Sequence, residues 1–71
     1  MSNEQIAEKI YKSYFDVTGI DNKEEAKKHA NALIDVQVQM MYQDKGNVII
    51  EEKRDLYLED WEEIKYLINS K

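Results

Sequence analysis

The stretch from Ala26 to Tyr42 constrains the fold more than any other part of the chain. Wound as a helix at about 100° per residue, it places Val36, Met40, Leu33, Ala26, Ala30, Met41, Ile34 and Val38 on one arc of about 200°. A surface helix needs roughly half that width to sit on one core. The helix is therefore expected to touch two bodies, the second of which can be another chain. Gln37 falls in the middle of the arc, where an amide must be paired or stay wet. A partner side chain, a backbone group or ordered water can pair it. On this reading Gln37→Leu stabilises the fold while loosening the choice of partner, as central polar residues do in coiled coils.

The chain has 71 residues, enough for one domain that buries only about 60% of its unfolded surface. Disulfides, metals or self-association are the usual supports of so small a core. With no Cys and a single His, disulfides, thiolate zinc sites and a multi-His site within one chain are excluded. Self-association through the Ala26–Tyr42 helix, as a homodimer, is the support that remains. The opening residues Met1 to Gln5 contain no basic or apolar region, so no signal peptide is read. No apolar run approaches the ~20 residues of a membrane span. The absence of Cys fits a reducing compartment, and a cytoplasmic protein with no membrane partner is expected.

Fifteen acids against ten bases give a net charge of −5. The last 21 residues hold Glu51, Glu52, Asp55, Glu59, Asp60, Glu62 and Glu63 against Lys53, Arg54, Lys65 and Lys71, a net of −3. An acidic chain repels phosphate backbones, so direct nucleic-acid binding is disfavoured, whereas a basic protein surface would attract it.

Ser2 and Gln5 match a capping box, with Met1 and Ile6 as its hydrophobic staple. Ile6, Ile10, Tyr14 and Val17 then follow helical spacing, with Ala7, Tyr11 and Phe15 widening the face, and Gly19 provides the stop. This predicts a first helix over about 3–18. Asp21 and Glu24 form a second capping box, and Gly46 a second stop, predicting a helix over about 22–44. The short link between the two makes them antiparallel neighbours. Residues 48–55 are not decided by the pattern. Val48, Ile49 and Ile50 favour an extended segment or a short hairpin over 48–58, whereas Asn47 could cap a helix that runs straight on. A third helix is predicted over about 56–69, with Tyr57, Trp61, Ile64 and Ile68 as one stripe, Leu67 beside it and Trp61 as its anchor. The expected fold is all-α, an antiparallel helix pair closed by a C-terminal helix.

No constellation carries evident chemistry. His29 lies one turn after Glu25, the minimum for an oriented base, but no Ser, Cys or second acid is spaced to complete a relay. A histidine at an interface or near a cap explains it better. Glu59, Asp60, Glu62 and Glu63 lack the alternating ligands and Gly turn of a calcium loop; a solvated helix N-terminus accounts for them. Glu52, Asp55, Glu59, Glu62 and Glu63 face away from the apolar stripe and suit a basic groove; as a mimic of duplex phosphates the row Glu52, Asp55, Glu59 and Glu63, one helical turn apart, is sparse. The aromatic residues fall mostly on apolar faces, Tyr66 excepted, and Tyr11 and Phe15 stand at an edge where interface anchors are common. Met40 and Met41 flank Gln37 and can fill a core or meet a partner adaptably.

Ser13, Tyr14 and Phe15, followed by Thr18 and a second helix, resemble the sporulation histidine-kinase inhibitors, a family of short helical hairpins. The resemblance covers roughly 20 residues from Lys12 to Asn22. It implies Phe15 at an exposed turn that meets a partner, and it brings inhibition of a histidine kinase into consideration. The third helix has no counterpart in that family.

The expected function is therefore non-enzymatic and needs no cofactor: a small acidic module that binds a larger protein. The leading form is an inhibitor or modulator of the kind phages and other mobile elements encode against host nucleic-acid enzymes. An assembly subunit that oligomerises through the second helix is the alternative from a different class. The expected partner-binding residues are Val36, Gln37, Met40, Met41, Tyr11, Phe15, Glu59 and Glu63.

Overall fold

The structure, a computed structural model, describes residues 2–46, 48–50 and 56–71. Among these it has three helices and no strand: α1 (Asn3–Thr18), α2 (Lys23–Tyr42) and α3 (Leu58–Asn69). Each packs on the other two. Polar ties on the surface set their directions. Asn3 Nδ2 donates to Asp60 (3.1 Å) and Glu63 (2.9 Å), Lys65 Nζ to Asp35 (2.9 Å), and Asn31 and Asn69 exchange a pair of amide hydrogen bonds. Thus α1 and α3 run the same way and α2 runs against both. No helix among the described residues is long and apolar enough to cross a membrane.

α1 begins and ends as its sequence dictates. Ser2 Oγ accepts from Gln5 N–H (3.2 Å), and Gln5 Oε1 accepts from Ser2 N–H (2.9 Å), a complete capping box. Gly19 takes the left-handed conformation (φ 70°) and its N–H closes on Phe15 C=O at 2.8 Å. The start of α2 is one residue later than the spacing predicts. Asn22, not Asp21, is the N-cap, its side-chain oxygen accepting from Glu24 and Glu25 N–H. Asn and Asp cap equally well, so a neighbouring pair leaves the register open.

The end of α2 is also a correction. Asp44, not Gly46, is the left-handed residue that stops the helix (φ 63°). Asp44 N–H bonds Met41 C=O (3.1 Å) and Lys45 N–H bonds Met40 C=O (2.9 Å), the two closing bonds of a Schellman turn. Aspartate tolerates this conformation better than most residues.

α3 starts at Leu58 because Asp60 Oδ2 accepts from Tyr57 N–H (3.0 Å), holding Tyr57 extended as the N-cap. Tyr57 therefore leaves the predicted apolar stripe and is 66% exposed, while Leu56 is buried in its stead. Trp61, Ile64 and Ile68 are fully buried, facing Ile6, Ile10, Ala26, Ala30 and Ile34. Val17, expected on the buried face of α1, is also solvent-exposed.

α2 ends and α3 begins at the same pole of the bundle, as the Asp35–Lys65 and Asn31–Asn69 pairs require. A link of two to eight residues would suffice there, yet residues 43–57 intervene. Ile50 and Leu56 from this stretch join the core. Residues 51–55, including Glu52 and Asp55 of the expected acidic face, lie outside the described residues.

Trp61 supplies the largest fully buried side chain. Trp61→Ala should cost about 3–5 kcal/mol, comparable to the ~5 kcal/mol such a domain holds. Circular dichroism at 25 °C should show a largely unfolded variant.

Candidate protein-binding surfaces

Gln37 is the one buried polar residue among those described. Its Oε1 accepts from Val48 N–H (2.8 Å) and Ile49 N–H (3.2 Å), and its Nε2 donates to Gly46 C=O (2.5 Å). Three polar backbone groups of one segment thus converge on one amide. The residue expected to meet a partner is engaged within the chain. Besides α1 and α3, the arc of α2 thus meets backbone of the chain itself, at Gly46, Val48 and Ile49. Ala26, Ala30 and Ile34 face the core directly, while Leu33, Val38 and Met41 pack against it half-buried. Met40 is also half-buried, and Val36 is 46% exposed.

The clamped segment forms one wall of a groove of about 460 Å³. Ile10, Ser13 and Val17 of α1, Leu33 and Val36 of α2, and Val48, Ile49 and Ile50 line it, with Lys9 and His29 among its polar residues. Val17, Val36 and Val48 are exposed around it. Sequence reasoning found Val36 but not Val17 or Val48, because their surroundings depend on where segment 46–50 folds back.

Tyr11 and Phe15 are less available than expected. Tyr11 is buried, Phe15 half-buried, and their rings meet edge to face at 5.3 Å. Tyr14 makes a similar contact with Phe15 (5.8 Å) and lies 5.6 Å from His29. Glu25, proposed to orient His29, forms an ion pair with Lys28 at 3.8 Å. Lys71 Nζ lies 5.4 Å from the Tyr11 ring centroid and pairs with Glu8, which also pairs with Lys12 at 3.2 Å. The hydrogen bond from Lys71, then that from Lys12, holds the Glu8 carboxyl below its usual range.

Glu59 is exposed at the start of α3 beside Tyr57 and Leu58. Glu63 binds Asn3, so it ties α3 to α1. No group of three or more His, Cys, Asp or Glu among the described residues is placed to hold a metal ion. No protein-family model, curated protein or solved structure matches the chain.

Gln37→Leu should destabilise the fold, reversing the expectation drawn from the sequence. Two N–H groups and a carbonyl would lose their partner, a cost of about 2–4 kcal/mol if water reaches some of them. Hydrogen exchange should show the Val48 and Ile49 amides losing protection before the helices do. Lys71→Met should raise the Glu8 titration midpoint, followed by carboxyl-carbon NMR. Because the folded value is depressed, this pair stabilises the fold above the unfolded carboxylate range and loses its effect as pH falls through the folded value.

Proposed function

We propose that the chain is a small, non-enzymatic protein-binding module that docks on a larger protein and modulates it. The observation that carries this reading is the apolar groove, with Val17, Val36 and Val48 exposed around it. Exposed apolar surface collected in one concavity is characteristic of interaction sites, whereas scattered exposed apolar residues are ordinary. The net charge of −5 favours a partner with a basic surface and speeds encounter with it. A nucleic-acid enzyme, whose working surface is basic, fits that description, as does the mobile-element setting in which such modulators are encoded.

Self-association through α2 has less surface to use. Most of the apolar arc is taken up within the chain, and Val36 and Tyr42 are its exposed large apolar residues among those described.

The test compares wild type with Val36→Glu as tagged bait in the source organism. Val36 is already partly exposed, so the variant should keep its helical signal and melting point. A carboxylate forced into an apolar contact should weaken binding at least tenfold, about 1.4 kcal/mol. A larger protein captured in stoichiometric amount by wild type and lost with the variant supports the groove. Equal capture by both overturns it. A dimer seen by sedimentation in wild type alone would place a second copy in the groove instead.

A further inference from the structure

Gln37 holds the backbone laid across α2 by a single functional group. Its Oε1 takes the N–H groups of Val48 and Ile49 together, and its Nε2 binds Gly46 C=O. In a helix each N–H has a carbonyl of its own, so such bonds are lost singly by fraying from the ends. Here three bonds share one amide, and one rotation of that side chain releases them all.

Little else fixes these residues. Val48 is 53% exposed and Ile49 half-buried, which leaves Ile50 as the apolar anchor beside the clamp. Asp44 and Gly46 hold left-handed φ angles just ahead of it, and a Cβ at Gly46 would meet nothing within 4 Å. The chain is therefore not wedged against the bundle at that turn. The link from α2 to α3 is longer than the separation of its ends requires, so it has the slack to lift while both helices stay seated. The helices themselves rest on Ile6, Ile34, Trp61, Ile64 and Ile68, all fully buried. Lifting also leaves nothing stranded. Water reaches the amide and the three backbone groups, so the loss is the modest net worth of each bond and not the penalty of an unpaired buried group.

We infer that Gly46, Val48, Ile49 and Ile50 act as a strap that lifts from α2 as one unit when Gln37 lets go, while the three helices stay packed. Val48, Ile49 and Ile50 line the groove, so that wall exists only while the strap is down. A ligand in the groove holds the strap closed, and one that takes the uncovered surface of α2 must first lift it. The strap does not depend on what the groove binds.

The test is native-state hydrogen exchange, followed by NMR, on wild type and Ile68→Val. Ile68 adjoins Asn69, which pairs with Asn31, about 9 Å along α2 from Gln37. The Val48 and Ile49 amides and the bonded Gln37 Nε2 proton should share one opening constant within about threefold. Their protection should be roughly tenfold or more below that of the Ile10, Ala30 and Ile64 amides. Shortening Ile68 weakens the bundle equally with the strap down or up. It should speed exchange of the helix amides about threefold to tenfold and leave the strap amides unchanged. Strap amides that accelerate with the helices, opening constants that differ beyond the stated range, or strap amides with no protection at all would overturn the inference.

Discussion

The buried amide of Gln37 is the interaction on which the rest of the surface depends. Its three hydrogen bonds to Gly46, Val48 and Ile49 fold a connecting segment onto the side of α2. An amide offers both a donor and an acceptor, so one side chain can satisfy N–H and C=O groups that a turn would otherwise leave facing an apolar wall. The clamp puts Ile49 and Ile50 against the bundle, and with Val48 they become a groove wall. Without it, the part of α2 around Gln37 would face water.

This explains how much could be read in advance. The bounds of α1 were readable, because the capping box and Gly19 act locally, although Val17, read as part of its buried face, is exposed. Trp61, Ile64 and Ile68 were readable as an anchor stripe because their spacing alone puts them on one side. The errors lie where two local solutions are nearly equal or where a distant segment decides. Asp21 and Asn22 are equivalent caps. Asp44 and Gly46 both hold positive φ, and the Schellman bonds choose the first. Tyr57 fits a helical wheel until Asp60 takes its N–H and starts the helix after it. For the candidate surfaces, Val36 could be found from its place at the edge of the arc. Val17 and Val48 could not, since their companionship is created by a fold-back that no periodicity encodes.

Apolar burial holds the three helices together, but it specifies poorly how α3 is aligned. That task falls to polar pairs at the rim: Asn3 with Asp60 and Glu63, Asn31 with Asn69, Asp35 with Lys65, and Lys71 with Glu8. Exposed pairs of this kind add little stability each. Their value is that a shift of α3 by one turn would break all of them at once while the apolar stripe could still find contacts. The same use of carboxylates for alignment removes Glu63 and Asp60 from the set most open to a partner, and concentrates the outward-facing charge on Glu59 and Glu62.

The link between α2 and α3 is longer than the separation of its ends requires, and this has an evolutionary consequence. Its two ends meet at one pole, so a short turn would keep the bundle connected. One side of the groove is thus carried by a part of the chain that the helix frame does not need for its connectivity. Exposed positions such as Val48 can then change while α1 and α3 keep their packing, provided that the backbone groups held by Gln37 stay in place. Such a division lets one face of the bundle vary quickly on a scaffold that varies slowly.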